Sequence, residues 1–251
     1  MRKLFSLVLM ILTLFSFRVL AKENELLFLT GEHPPFSSST MPQKGLATEI
    51  VMSICADAKL TCKIEFLPWL RCEYLVETGK AFAAFPYGYT KERGKKFLYS
   101  DSLYFLIDTH LFFKSNNFKF PSKISFQEIK NAGIRVGTLR GNLYVTDFIK
   151  HGIKYEESND HNSLILKLIN NRIDAIVEVK QVLRYEMKKF EKTDTQSIKS
   201  SEITDYPVSS PSMLIVSKKY ENSQNLLKKI NYSLNKLRNN GVIDKIISNY
   251  N

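Results

Sequence analysis

Thr90 and Arg93 stand three residues apart, just after an apolar run at 81–85. A hydroxyl and a guanidinium so placed can grip a carboxylate. The planar fork of a guanidinium matches two carboxylate oxygens, and each charge-assisted hydrogen bond contributes about 1.5 to 3 kcal/mol when shielded from water. The apolar run reads as a buried strand, and residues 86–93 as the loop at its carboxyl end. The competing reading makes Arg93 a solvated arginine in a basic stretch with Lys91, Lys95 and Lys96. The elements around it decide between the two.

Other reactive side chains point to less. The four histidines (33, 110, 151 and 161) and three cysteines (55, 62 and 72) show no metal-ligand spacing, so no metal or cofactor is expected. Cys72 has no histidine near it in sequence and is expected to be a buried bystander thiol.

Residues 25–30 read as a strand, and 45–60 as an amphipathic helix with Leu46, Ile50, Val51, Ile54 and Ala58 along one stripe. Next come a strand at 63–66, a helix at 68–77 with Pro68 in its first turn, and the strand at 81–85. This βαβαβ alternation argues for a mostly parallel sheet with helices on both faces. An extended run at 104–113 ends in polar residues 114–117, read as a crossing point. A second alternation follows: helix 125–131, strand 134–138, a helix opened by Gly141 and reaching about residue 150, strand 154–156, helix 162–170, strand 173–179 and helix 181–190. A break at 207–211, bounded by prolines, precedes a strand at 212–216 and helices at 220–239 and 241–250.

The fold class is therefore α/β with two lobes, each a mostly parallel sheet flanked by helices, joined by two extended hinge segments. Lobe 1 is assigned residues 22–113 plus 211–251, and lobe 2 residues 114–210. In open α/β sheets ligands sit beyond the carboxyl ends of strands. The loops at 86–93 and 138–143 are such ends, one in each lobe.

The chain has 251 residues and opens with Arg2 and Lys3, an apolar stretch at 4–17, and Val19-Leu20-Ala21. That pattern predicts a secretory signal at 1–21. No later segment is long and apolar enough to span a bilayer. Removing the signal takes away Arg2, Lys3 and Arg18 and lowers the formal charge from +11 to +8. The remaining lysine pairs, such as Lys188-Lys189 and Lys228-Lys229, read as solvated helix faces rather than a basic stripe. Nucleic-acid binding is not expected, while a mild preference for anionic solutes is. In an oxidising compartment Cys55, near a helix end, and Cys62, at the start of the next strand, are expected to pair, stabilising the fold by about 2 to 3 kcal/mol.

The mature sequence resembles the periplasmic solute-binding proteins of the amino-acid (family 3) type of ABC transporters. His33-Pro34-Pro35-Phe36 matches the family's aromatic-proline-phenylalanine segment, and Gly45 to Ile50 its first helix opening. Cys55 and Cys62 have the spacing of a disulfide in some basic-amino-acid binders. Thr90-Lys91-Glu92-Arg93 matches the Thr-x-x-Arg signature, followed by Ser100-Asp101 and Tyr104. Val136 to Asn142 and Arg172 to Ala175 match second-lobe segments.

The resemblance implies a type II periplasmic binding fold and a two-lobed ligand trap: a small carboxylate-bearing solute held by Arg93, Thr90 and backbone groups near Tyr87 and Tyr89, with backbone N–H groups of the helix after Gly141 and Asn142 completing the anion seat. It further implies a monomer without cofactor or enzymatic activity that hands its solute to an inner-membrane permease or receptor. The family places an aspartate where this chain has Val179; Glu178, one residue earlier, should face the opposite side of its strand unless a bulge re-aims it. Trp69 either walls the cleft or packs in the core, and His33 either stacks on a ligand or caps its loop. An enzyme reading, a dehydratase of the same fold, would use Glu178 as a proton donor if burial raised its pKa.

Overall fold

The computed structural model describes residues 25–106, 109–190, 195–205 and 210–250. The expected signal at 1–21 and most of the break at 207–211 lie outside the described residues. In the first lobe the chain forms β1 (Leu26–Thr30), α1 (Leu46–Asp57), β2 (Cys62–Phe66), α2 (Trp69–Glu77), β3 (Ala83–Tyr87), α3 (Lys91–Lys96), β4 (Phe97–Tyr99) and β5 (Tyr104–Leu106). The second lobe holds β6 (Thr109–Lys114), β7 (Lys123–Ile124), α4 (Phe126–Asn131), β8 (Arg135–Leu139), α5 (Tyr144–His151), β9 (Lys154–Ser158), α6 (His161–Ile169), β10 (Ala175–Val179), α7 (Lys180–Met187) and β11 (Ile198–Ile203). The chain then returns to the first lobe through β12 (Ser210–Ser217), α8 (Ser223–Asn239) and α9 (Val242–Ser248).

The first sheet has the order β2-β1-β3-β12-β4 with β5 on β12, and the second β7-β11-β6-β10-β8-β9. Each contains a parallel trio, β2-β1-β3 in one and β9-β8-β10 in the other. The strands that carry the chain across, β6 and β12, run antiparallel to their partners because they enter from the hinge end. One boundary is corrected here. The run at 104–113 is not a single strand of the first lobe: β5 pairs with β12, but β6 pairs with β10 and β11. The chain therefore changes sheets between residues 106 and 109, not near 114.

Apolar residues cover both faces of both sheets, as the helical and strand periodicities require. In the first lobe Ile50, Val51 and Ile54 of α1 and Ile230 and Leu234 of α8 bury one face, and Cys72 and Val76 of α2 bury the other. In the second, Phe126 and Phe148 of α4 and α5 oppose Leu164, Leu168 and Leu183 of α6 and α7. Cys55 and Cys62 form a disulfide joining α1 to β2. Cys72 is a buried free thiol whose pKa burial pushes up to about 12, so it carries no thiolate for chemistry.

Candidate functional site

Arg93 lies in the first turn of α3, not in a loop. Thr90 has extended backbone, and its hydroxyl oxygen accepts the Arg93 N–H at 3.1 Å, capping the helix. Accepting that bond leaves the hydroxyl proton free to donate, so the cap and a donor role towards a ligand are compatible. The guanidinium sits over the Tyr87 ring at 4.9 Å, and the Tyr87 hydroxyl donates to the Trp69 carbonyl at 3.1 Å. Nε and Nη2 of Arg93 donate to one oxygen of Glu73, at 3.0 and 2.5 Å, and Nη2 also donates to the Gly141 carbonyl of the second lobe at 3.2 Å. Both side chains are largely shielded, at 12% and 19% exposure. Arg93 thus has a counter-ion within the chain itself.

Glu178 leaves the end of β10 and is fully buried. The β10–β6 register runs unbroken from Ala175 to Val179, so no bulge re-aims it. It reaches the cleft all the same, because the cleft lies beyond the strand's carboxyl end and not over one face. One carboxylate oxygen takes the Val179 N–H at 2.8 Å and lies 3.6 Å from His33 Nε2, and the other meets His161 Nε2 at 3.1 Å. Burial is the largest influence and pushes the pKa up, but hydrogen bonds and charge from His161 and His33 together win and hold it down at about 2. The condition for a proton donor, a raised pKa, is therefore not met: Glu178 is an ionised carboxylate at neutral pH. His33 spans the lobes in this contact and settles neither as a loop cap nor as a plain stacking face.

Trp69 opens α2 and lies against Gly31, where an added Cβ would stand 2.4 Å from the indole. Only a glycine admits the ring there. Trp69 also meets His33 and Tyr87 edge-on, with ring centroids 6.2 and 5.5 Å away. Together with Arg93, Tyr144 and Glu178 these rings enclose a cavity of about 80 Å³ between the lobes. Beyond Trp69 and Leu139, which line both spaces, a polar groove of about 910 Å³ runs past Glu32, Arg140, Asp160, Glu186 and Lys189. Tyr144 is buried under the small cavity, which raises its hydroxyl pKa, and its oxygen lies 3.3 Å from Thr109 Oγ1.

Of the residues singled out from sequence, Arg93, Tyr87, His33, Trp69, Gly141, Asn142 and Glu178 line the small cavity. Tyr89 does not; it is 61% exposed and packs on Tyr99. The helix after Gly141 begins only at Tyr144, and the N–H groups of Val145 and Thr146 already bond the Asn142 and Leu143 carbonyls at 3.3 Å. Gly141, at φ +79°, gives its own N–H to Glu157 at 3.3 Å. The expected helix-end anion seat is therefore largely satisfied from within.

Glu73 and His161 were missed. Glu73 had a readable signal, lying four residues after Trp69 on α2 and so on the same helix face. His161 had none, since its pairing with Glu178 joins α6 to β10 through the fold alone. Among the described residues, no group of three or more His, Cys, Asp or Glu side chains could hold a metal ion.

Residues 27–251 match the family model of the bacterial extracellular solute-binding proteins, family 3. No curated protein matches the chain. Among solved structures, an ancestral arginine-binding protein bound to arginine superposes with a TM-score of 0.74 at 21% identity, over 91% of this chain and 99% of that one. The substrate-binding protein of an amino acid ABC transporter does so at 0.73 and 20%, over 90% and 98%. The ancestral amino-acid-binding protein AncCDT-1, a precursor of cyclohexadienyl dehydratase, does so at 0.73 and 18%, over 91% and 96%. At these identities the likeness establishes the two-lobed fold.

Proposed function

The chain belongs to the bacterial extracellular solute-binding proteins of family 3, and on that premise we propose that it traps an amino acid or related carboxylate-bearing solute between its lobes, in the periplasm, for a membrane transporter. The observation that carries this reading is convergence: Arg93, Tyr87 and Trp69 of one lobe and Gly141, Tyr144 and Glu178 of the other enclose one cavity. Side chains from two bodies meeting over one space give a ligand differential contacts in the closed state, the requirement for ligand-driven closure. The solved amino-acid-binding relatives are consistent with an amino-acid-like solute.

A dehydratase reading is weaker. A general acid must be protonated at working pH, and Glu178 is held ionised by two histidines.

A thermal-shift screen of the purified protein against the twenty amino acids, short peptides and organic acids tests the reading. A ligand at a hundred times its Kd stabilises the native state by about 2.7 kcal/mol, a readily measured shift in Tm. Absence of a shift with every carboxylate in the screen overturns it.

A further inference from the structure

We infer that Glu73 sets the charge selectivity of the cleft, acting as an internal anion that shares Arg93 with the ligand and narrows the advantage of a carboxylate over an uncharged oxygen acceptor. The inference rests on the proposed carboxylate trap and goes beyond it. A guanidinium binds a carboxylate bidentately through one of its donor edges. Here the Nε/Nη2 edge is given to one oxygen of Glu73, and Nη2 also serves the Gly141 carbonyl. Of the donors of Arg93, those on Nη1 are left for a ligand, and a single contact of that kind suits a carbonyl as well as a carboxylate. A ligand carboxylate brought beside Glu73 also meets a like charge with little solvent to screen it.

The Glu73 contact is built into the fold. On α2, Glu73 lies beside Cys72 and three residues before Val76, both fully buried. One turn further along, Glu77 pairs with Lys96 of α3 at 3.0 Å. Two ion pairs, about one turn apart on each helix, thus fasten α2 to α3, so a ligand entering the cleft does not simply sweep Glu73 aside. Glu73 itself stands behind Arg93 and does not line the cavity, and the carboxylate that does, Glu178, is committed to His33, His161 and the Val179 N–H.

The test is calorimetric titration of L-arginine, L-glutamine and L-glutamate, each against its α-amide, into the wild type, Glu73→Gln, Glu73→Asp and Arg93→Ala. We expect the wild type to prefer acid over amide by less than tenfold, Glu73→Gln to raise that ratio at least tenfold, Glu73→Asp to keep the wild-type ratio, and Arg93→Ala to bring it near one. An unchanged or lowered ratio in Glu73→Gln overturns the inference, because Glu73 then merely orients the guanidinium. Loss of the wild-type ratio in Glu73→Asp overturns it too, since reach and not charge would then decide. Full acid affinity in Arg93→Ala, or no binding of any probe to the wild type, sinks the carboxylate trap itself and the inference with it.

Discussion

Deleting the Arg93 guanidinium removes two things at once, the ligand's anchor and the counter-ion of Glu73. The first loss is expected to cost about 1.5 to 3 kcal/mol of ligand affinity, the value of one charge-assisted hydrogen bond. The second strands a carboxylate that is 19% exposed, and leaving such a group unpaired costs about 1 to 3 kcal/mol of stability. Arg93→Ala should therefore lower the Tm of the ligand-free protein as well as weaken binding. An unchanged Tm would mean that the Glu73 pair is worth nothing. Glu178 gives a pH-dependent counterpart. Its folded pKa of about 2 lies below the ordinary 4.5, so its stabilisation is complete above pH 4.5 and is lost as the pH falls from there towards 2. The size of the effect is about 3 kcal/mol. The titratable groups facing it are His33 from the β1–α1 connection, His161 from α6 and Tyr144 from α5. Asp57 and Glu128 also have lowered pKa values, so the measurement is a difference: urea midpoints of wild type and Glu178→Gln across pH 2 to 7. Glu178→Gln should be the less stable at pH 7 and should converge on wild type near pH 2. Parallel curves would refute the assignment.

At the scale of elements, Thr90 is the instructive case. Its hydroxyl oxygen caps the first turn of α3, so Thr90→Ala is expected to cost about 1 kcal/mol of stability, the usual value of a lost N-cap, and, because Thr90 does not line the cavity, less ligand affinity than Arg93→Ala. Chemical denaturation and titration of the same variant separate the two; an affinity loss as large as that of Arg93→Ala would return Thr90 to the ligand. The sequence showed the Thr-x-x-Arg spacing plainly but not what it does. A hydroxyl three residues before a guanidinium can cap a helix by accepting an N–H and still donate its own proton, and the cap becomes visible only with the helix at 91–96. Long amphipathic elements such as α1 and α8 were legible because burying a stripe imposes its period on the residues. The short strands β4 and β7 and the polar β11, Ile-Lys-Ser-Ser-Glu-Ile, were passed over, because strands held mainly by backbone pairing to a neighbour need little apolar signal of their own. The sheet change between 106 and 109 was hidden for the opposite reason. Residues on both sides of it are apolar, since both strands are buried in different sheets.

Across the whole molecule, the lobes are held together by the protein's own groups. Arg93 bonds the Gly141 carbonyl, His33 approaches Glu178, and Leu70 lies where a Cβ on Gly141 would meet it at 2.9 Å. Val179 and Val182, from the second lobe, share the apolar cluster of Phe36 and Tyr104. Such contacts favour closure before any solute arrives, and a solute then adds only its differential affinity for the closed form. His33 is the contact best suited to a test, because its ring touches Glu178 without being part of either sheet. His33→Ala leaves Glu178 its bonds to His161 and the Val179 N–H but removes one of the links between the lobes, so the fold survives while the closed state weakens. By small-angle X-ray scattering the ligand-free variant should have a larger radius of gyration than the ligand-free wild type, and a saturating ligand from the thermal-shift screen should bring the two together. If the ligand-free wild type is no more compact than His33→Ala, the His33–Glu178 contact does not help to hold the lobes shut.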